Sequence, residues 1–221
     1  MNIRRILALS LLSFALGGLT GILFPAAALE TRYQVLSLQG TLKEVKEAEK
    51  PLPTSVPRTF NPLVAPDGSA IEPIDTSFSV IVPKLGINAR VIPGVNPTNP
   101  KEYSEALKKG VAHSKFSFFP DEEGVVFLFA HSTSAEWFVK ELNAVFYLLK
   151  NLETGDLIIL VYKNTLYTYQ MRESRIVAAG DTSYLSPIQD PRMLILQTCW
   201  PPGQTTERLL IIADLADRQS K

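Results

Sequence analysis

The chain has few of the residues that metal sites and disulfide frameworks use. Its 221 residues include one cysteine, Cys199, and two histidines, His113 and His131. A single cysteine excludes an intramolecular disulfide, and it excludes a zinc site built from several thiolates. Two histidines are too few for a histidine-rich metal site. We therefore expect neither a metal ion nor another cofactor.

The chain also lacks an excess of charge of either sign. Lys plus Arg and Asp plus Glu both number 22, so the formal net charge is zero. Proteins that bind nucleic acids usually carry a basic stripe, and a nucleic-acid partner is therefore not expected. The acidic run Asp121–Glu123 is interpreted as a solvated turn rather than a calcium site.

One long segment near the N-terminus has no charged residue at all. Ile6–Leu29 runs for 24 uncharged residues, which is long enough to span a bilayer as a helix. Arg4 and Arg5 precede it and should stay on the cytoplasmic side, which would place the rest of the chain outside the cytoplasm. A cleaved signal peptide is the alternative, because Ala26–Ala28 resembles a cleavage site. The length of the apolar run favours an uncleaved, single-pass anchor.

The chain divides into three predicted parts. Residues 1–29 form a cytoplasmic tip and the transmembrane anchor, and residues 30–75 form a juxtamembrane segment and a proline-rich linker. Residues 76–221 form one folded domain, which is long enough for a proper hydrophobic core.

The folded domain is expected to be mainly β, because short apolar runs alternate with turn residues. Pro100–Lys109 is predicted to be a short helix, with proline in its first turn and Gly110 as its stop. The order of the runs favours a closed or nearly closed antiparallel barrel of about eight strands, mixed at one place. The predicted strands are Phe78–Val82, Ile87–Ile92, Val111–Lys115, Val125–Ala130, Leu157–Tyr162, Thr165–Glu173, Met193–Thr198 and Leu209–Leu215.

The last two runs are predicted to form a hairpin with two reactive side chains beside its loop. Cys199 lies where the first run ends, and Arg208 lies where the second begins. In an antiparallel pair the thiol and the guanidinium would face each other, so the cation would favour thiolate and its donors could hold a developing oxyanion. Two plainer interpretations stay open at this point. A lone cysteine in an apolar strand is usually a small buried hydrophobe, and Arg208 could simply pair with Glu207 or Asp214.

His131 follows another apolar strand and completes a candidate catalytic set. A thiol that attacks a peptide carbonyl needs an imidazole to exchange protons with the nucleophile and the leaving amine. We predict His131, Cys199 and Arg208 as the catalytic residues. Thr198 and Trp200 flank the nucleophile and are predicted to contact the substrate. Two further residues have expected roles around this set: Ser132 is a candidate to orient His131, and His113 is expected to be structural or to line the cleft.

These motifs, taken in order, resemble the sortases. Leu196–Cys199 is similar to the family's LxTC motif, and Arg208 stands nine residues after the cysteine, as the family's arginine does. Phe129–Ser132 is similar to the strand end that carries the family's histidine. The resemblance covers about Ser77 to Leu215. Other family-like pieces, in the same order, are Ile81–Ile87 and Gly110–His113.

Membership in this family implies an eight-stranded sortase barrel and a membrane-anchored cysteine transpeptidase, of a class D/E-like or divergent subclass. Such an enzyme cleaves a Leu-Pro-x-Thr-Gly-like sorting signal after Thr and holds the acyl group as a thioester on Cys199. It passes this group to an amine of a cell-wall precursor or a pilin lysine, or to water in a hydrolytic reaction. A cysteine L,D-transpeptidase is disfavoured, because in that family the cysteine shortly follows a Ser-His-Gly run. A non-enzymatic binding or assembly module on a degenerate sortase barrel stays open.

Overall fold

The structure is a computed structural model that describes residue 31 and residues 34–35, 70–132, 145–185 and 192–220. Within these ranges no helix is long and apolar enough to cross a membrane. The predicted anchor Ile6–Leu29, and the linker up to residue 69, lie outside the described residues. The predicted division of the chain into three parts stays a prediction.

The described residues form eight strands with short helical segments between them, as the apolar runs predicted. The strands are β1 Phe78–Val82, β2 Ile87–Val95, β3 Val111–Ser114, β4 Gly124–Phe129, β5 Leu157–Tyr162, β6 Thr165–Ala178, β7 Arg192–Trp200 and β8 Glu207–Ser220. The helical segments are α1 Pro100–Leu107 and the 3₁₀ segments Pro83–Leu85, Val145–Asn151 and Ser183–Leu185.

The strands close into a barrel in the order β1-β2-β3-β4-β7-β8-β6-β5. Two neighbouring pairs are parallel, β2 with β3 and β4 with β7, and the other pairs are antiparallel. The expectation of a single mixed place is therefore wrong. Parallel neighbours need a crossover, and α1 provides one between β2 and β3. The chain from β4 to β7 includes β5 and β6, so β7 can return beside β4 in the same direction.

The strand directions place the predicted catalytic positions at one end of the barrel. Strands β4 and β7 run in parallel and finish there at Phe129 and Trp200, and β8 begins there at Glu207. We call this the Cys199 end. The loop between β3 and β4 and the turn between β5 and β6 lie at the opposite end, because both follow strands that run the other way.

Strand β2 is longer than the sequence predicted. It was expected to end at Ile92 because Pro93-Gly94 is a turn signal, yet the strand continues to Val95. The register with β3 shifts between Ile92 and Val95, so the proline falls where a regular ladder hydrogen bond is not required. Gly94 adopts a positive φ of 69°, which glycine tolerates without strain. The turn residues thus form an irregularity inside the strand instead of ending it.

The barrel wall is buried on both faces over much of its length. All five residues of β1 are buried, and so are Met193–Leu196 of β7. Strands that are covered on both faces carry unbroken apolar runs rather than alternating ones. This explains why the sequence shows continuous runs such as Leu157–Tyr162.

A partly buried ion pair ties two segments near the Cys199 end. Lys84, in the 3₁₀ segment after β1, places Nζ 2.7 Å from Glu153 Oε2 and 2.8 Å from Asp156 Oδ2. The Lys84 and Asp156 side chains are only 27% and 20% exposed, whereas that of Glu153 is 81% exposed. The Lys84–Asp156 contact should therefore carry most of the stabilisation, because solvent screens exposed pairs.

We predict that Lys84→Met lowers the free energy of unfolding by about 1 kcal/mol, because Asp156 loses the cation beside its partly buried carboxylate. The matched control is Lys108→Met, whose partner Glu105 is as exposed as Lys108 itself. The control should cost less than Lys84→Met, because solvent screens an exposed pair. Urea denaturation measures both values, and equal losses in the two variants would contradict the prediction.

Candidate active site

The parallel pairing of β4 and β7 brings His131 next to Cys199. The paired register runs from Gly124 opposite Arg192 to Phe129 opposite Gln197. The Ala130 N–H then donates to the Gln197 carbonyl at 3.1 Å, so the two chains are still bonded at that point. His131 is two residues beyond Phe129, and Cys199 is two residues beyond Gln197. The same count along both strands makes them neighbours at the Cys199 end.

The closing hairpin places Arg208 directly opposite Cys199. Strands β7 and β8 are antiparallel, and their register pairs Cys199 with Arg208 and Trp200 with Glu207. The antiparallel pairing that the sequence predicted is confirmed. Residues directly opposite each other in a sheet have side chains on the same face. The thiol and the guanidinium therefore belong to one face of the hairpin.

The loop of the hairpin holds the guanidinium of Arg208. Its Nη1 donates to the carbonyls of Thr205 and Glu207, each at 2.9 Å. Within the ranges that the structure describes, Arg208 forms no ion pair. Asp214, one of its alternative partners, instead binds Arg172 at 2.9 Å. The guanidinium beside Cys199 is therefore oriented by neutral carbonyls, and no carboxylate of the described ranges pairs with it.

His131 is partly buried, and burial lowers the pKa of its imidazole. A lowered pKa favours the neutral ring at neutral pH, and a neutral ring can accept a proton from a thiol. Cys199 is a free, partly exposed cysteine. The site thus combines an accessible thiol with an imidazole that can act as a base.

Two hydroxyl groups connect the ends of β4 and β7. The Ser132 Oγ donates to the Cys199 carbonyl at 2.6 Å, and the Thr198 Oγ1 donates to the Ala130 carbonyl at 2.9 Å. Both side chains are 2% exposed. The predicted contact of Thr198 with substrate stays a prediction, and its hydroxyl already has a partner within the protein. Trp200 is partly buried and packs against the main core, so its predicted substrate contact also stays a prediction.

Tyr184 is a residue of this face that the sequence did not indicate. Its hydroxyl donates to the side-chain oxygen of Gln197, which precedes Cys199 by two residues on β7. Its ring lies 6.1 Å from that of Phe127, and burial raises its pKa. The 3₁₀ segment Ser183–Leu185 carries this tyrosine. Nothing in the local sequence marks a tyrosine that bonds a distant glutamine.

His113 has a structural environment, as expected. It is 1% exposed, and its ring stacks on Phe119 with 4.5 Å between the ring centroids. The Gly94 N–H donates to Nδ1 at 3.4 Å, and Nε2 lies 2.9 Å from the Phe118 carbonyl. With Nδ1 as acceptor and Nε2–H as donor, the ring is held in one neutral tautomer. Burial lowers the pKa of His113, which agrees with that neutral form.

The chain is similar to a known protein family and to a characterised relative. Residues 80–216 match the family described as Sortase domain. Sortase D of Bacillus subtilis (strain 168) is 30% identical over 177 residues, which cover 77% of this chain and 80% of that protein. The chain therefore belongs to the sortase family.

Solved structures of sortases share the fold. The pilus-related sortase C of Group B Streptococcus is 25% identical with a TM-score of 0.54, and the match covers 66% of this chain and 70% of that one. Clostridium perfringens sortase C, solved with the C-terminal cell wall sorting motif, is 25% identical with a TM-score of 0.52 over 63% of this chain and 69% of that one. The predicted eight-stranded sortase barrel is confirmed.

The two histidines predict how stability depends on pH. Burial lowers the pKa of both His113 and His131 below the ordinary value of 6.5, so each binds a proton more readily in the unfolded chain. The free energy of unfolding should therefore be fully present above about pH 6.5 and should fall as the pH drops towards the folded pKa values. Chemical denaturation from about pH 7.5 to about pH 5.5 measures this slope.

Variants separate the two contributions, because the chain has no other histidine. His131→Gln should leave a slope that comes from His113, and the His113→Gln, His131→Gln double variant should show almost none over this range. A double variant with the slope of the parent protein would contradict the assignment.

Proposed function

We propose that this protein is a sortase transpeptidase that cleaves a Leu-Pro-x-Thr-Gly-like C-terminal sorting signal and transfers the acyl group to an amine. The observation that carries the proposal is the adjacency of His131, Cys199 and Arg208 at one end of the barrel, in a member of the sortase family. For acyl transfer through a thioester, a thiol can supply the nucleophile, an imidazole can exchange the protons, and a guanidinium can donate hydrogen bonds to the oxyanion.

In the first half-reaction the sulfur of Cys199 attacks the carbonyl carbon of the signal's threonine, and a carbon–sulfur bond forms. Arg208 donates hydrogen bonds to the carbonyl oxygen as it becomes negative. His131 accepts the thiol proton and delivers it to the glycine nitrogen as the carbon–nitrogen bond breaks. The products are a thioester on Cys199 and a peptide with a free amine.

In the second half-reaction an amine attacks the thioester and the thiol is regenerated. His131 removes a proton from the incoming amine and returns a proton to the leaving sulfur. The new amide bond joins the signal-bearing protein to the amine. Water in place of the amine gives a free carboxylate, which is the hydrolytic side of the same chemistry.

The acceptor belongs to one of two classes, a cell-wall precursor amine or a pilin lysine. The Group B Streptococcus structure is described as pilus-related, which supports the pilin class for that protein. We propose that Ile6–Leu29 anchors the chain in the cell membrane with the barrel on the outer side, where both acceptors occur. The uncharged run and the preceding arginines support this placement. We propose further that Trp200 and Thr198 lie along the bound signal.

The reaction can be tested with the full chain in detergent, a Leu-Pro-x-Thr-Gly peptide library and an added amine. We expect an acyl adduct on Cys199 in the intact-protein mass spectrum, together with amine-capped peptide. Cys199→Ala should form no adduct. His131→Ala and Arg208→Ala should each lower turnover by at least about 100-fold, because each removes proton transfer or oxyanion stabilisation.

The control for these variants is His113→Gln, which removes the buried histidine of β3 and should retain turnover near neutral pH. Wild-type turnover in both the His131 and Arg208 variants would refute the mechanism. A parent protein that forms no adduct, and whose Cys199 resists a mild alkylating agent, would indicate a binding module on a sortase barrel.

A further inference from the structure

Two buried hydroxyl groups form a crossed connection between the strands that carry the catalytic histidine and cysteine. Ser132 follows His131 and bonds the carbonyl of Cys199, and Thr198 precedes Cys199 and bonds the carbonyl of Ala130, which precedes His131. Each neighbour of one catalytic residue is thus tied to the segment of the other. We call this pair of hydrogen bonds the hydroxyl clasp.

The clasp lies where regular pairing between β4 and β7 ends. The paired register stops at Phe129 and Gln197, and one further backbone bond joins Ala130 N–H to the Gln197 carbonyl. His131 and Cys199 lie just past that point. Without the ladder, the distance between the two segments depends on side-chain bonds, and the clasp supplies two of them.

The surroundings make both hydrogen bonds strong constraints. Ser132 and Thr198 are each 2% exposed, so water cannot easily replace either hydroxyl. Removal of one hydroxyl leaves a buried carbonyl with fewer partners, which costs free energy and lets the strand end shift. A shift of about 1 Å in a catalytic group can cost on the order of 100-fold in rate.

We propose that Ser132 and Thr198 are positioning residues that set the separation between the His131 imidazole and the Cys199 thiol. Neither hydroxyl needs to touch the substrate for this role, because both bonds end on backbone carbonyls of the protein. The inference rests on the proposed transpeptidase function for its kinetic readout. The reactivity of Cys199 itself gives a second readout that requires no substrate.

Ser79 provides a matched control for the loss of a buried serine hydroxyl. It lies on β1, is 0% exposed, and its Oγ has no hydrogen-bond partner among the described residues. Ser79→Ala therefore removes a buried hydroxyl without breaking a bond, whereas Ser132→Ala removes the bond to Cys199. A difference in kcat or in Cys199 reactivity between these two variants therefore reports the loss of the hydrogen bond, because both variants lose a buried serine hydroxyl.

The test uses the full chain and two measurements. The first is the kcat and KM for the signal peptide, and the second is the rate at which iodoacetamide alkylates Cys199 as a function of pH. We expect Ser132→Ala to lower kcat by at least about 10-fold with KM changed less than about two-fold, and Thr198→Val to lower kcat by a similar factor. The alkylation profile of both should move towards that of His131→Ala. Thr198→Ser keeps the hydroxyl and should restore the parent profile, and Ser79→Ala should leave kcat and profile unchanged.

Other outcomes would overturn the proposal. The first is that folded Ser132→Ala and Thr198→Val show the same alkylation profile as the parent protein, and that kcat falls only in proportion to the unfolded fraction. The hydroxyl clasp would then stabilise the fold without positioning the catalytic residues. The second is that His131→Ala shows the same alkylation profile as the parent protein. His131 would then not act on the thiol, and its distance from Cys199 would not matter for catalysis. If no peptide is turned over, the transpeptidase proposal fails, yet the alkylation profiles still decide whether the clasp couples His131 to Cys199.

Discussion

The parallel pairing of β4 with β7 is the constraint on which the site depends. Parallel strands finish at the same edge of a sheet, so residues that follow them become neighbours even when the chain between them is long. His131 and Cys199 are brought together in this way, and the antiparallel return of β8 adds Arg208 opposite the thiol. Three groups from separate parts of the chain thus meet on strand ends of a closed barrel, which is a stiffer support than a set of loops.

The electrostatics of the site follow from the same architecture. Burial lowers the pKa of His131, which favours the neutral ring. The carbonyl groups of Thr205 and Glu207 accept hydrogen bonds from the guanidinium of Arg208 and orient it. The proposed mechanism uses this arrangement, with the imidazole to remove the thiol proton and the guanidinium to stabilise the oxyanion.

The sequence predicted those features that leave a local pattern. Apolar runs between turn residues predicted all eight strands, and the position of Cys199 and Arg208 at the mouth of a hairpin predicted their pairing. The sequence predicted one mixed place in the barrel, whereas the structure has two parallel pairs. The parallel pairing of β2 with β3 was not predicted, because it depends on where α1 carries the chain. The extension of β2 through Gly94 was missed as well, since a turn signal inside an irregular strand looks the same as one at its end.

Side-chain bonds between distant segments leave no such pattern. Tyr184 bonds Gln197, and Ser132 bonds the carbonyl of Cys199, yet no spacing in the sequence relates these positions. The sequence indicated Ser132 only as a neighbour of His131. Its bond to the opposite strand could be seen only once the register of β4 and β7 was known.

The two histidines show that place in the barrel, rather than residue type, decides what an imidazole can do. Burial lowers the pKa of both. Backbone groups contact both ring nitrogens of His113, and aromatic rings pack around its imidazole. The ring proton of His113 is therefore held in a hydrogen bond within the fold. His131 lies two residues beyond the end of β4, at the end of the barrel where Cys199 and Arg208 lie, and it is partly exposed. Hydrogen bonds fix the tautomer of His113, whereas the position of His131 beside Cys199 is what the proposed role as a base requires.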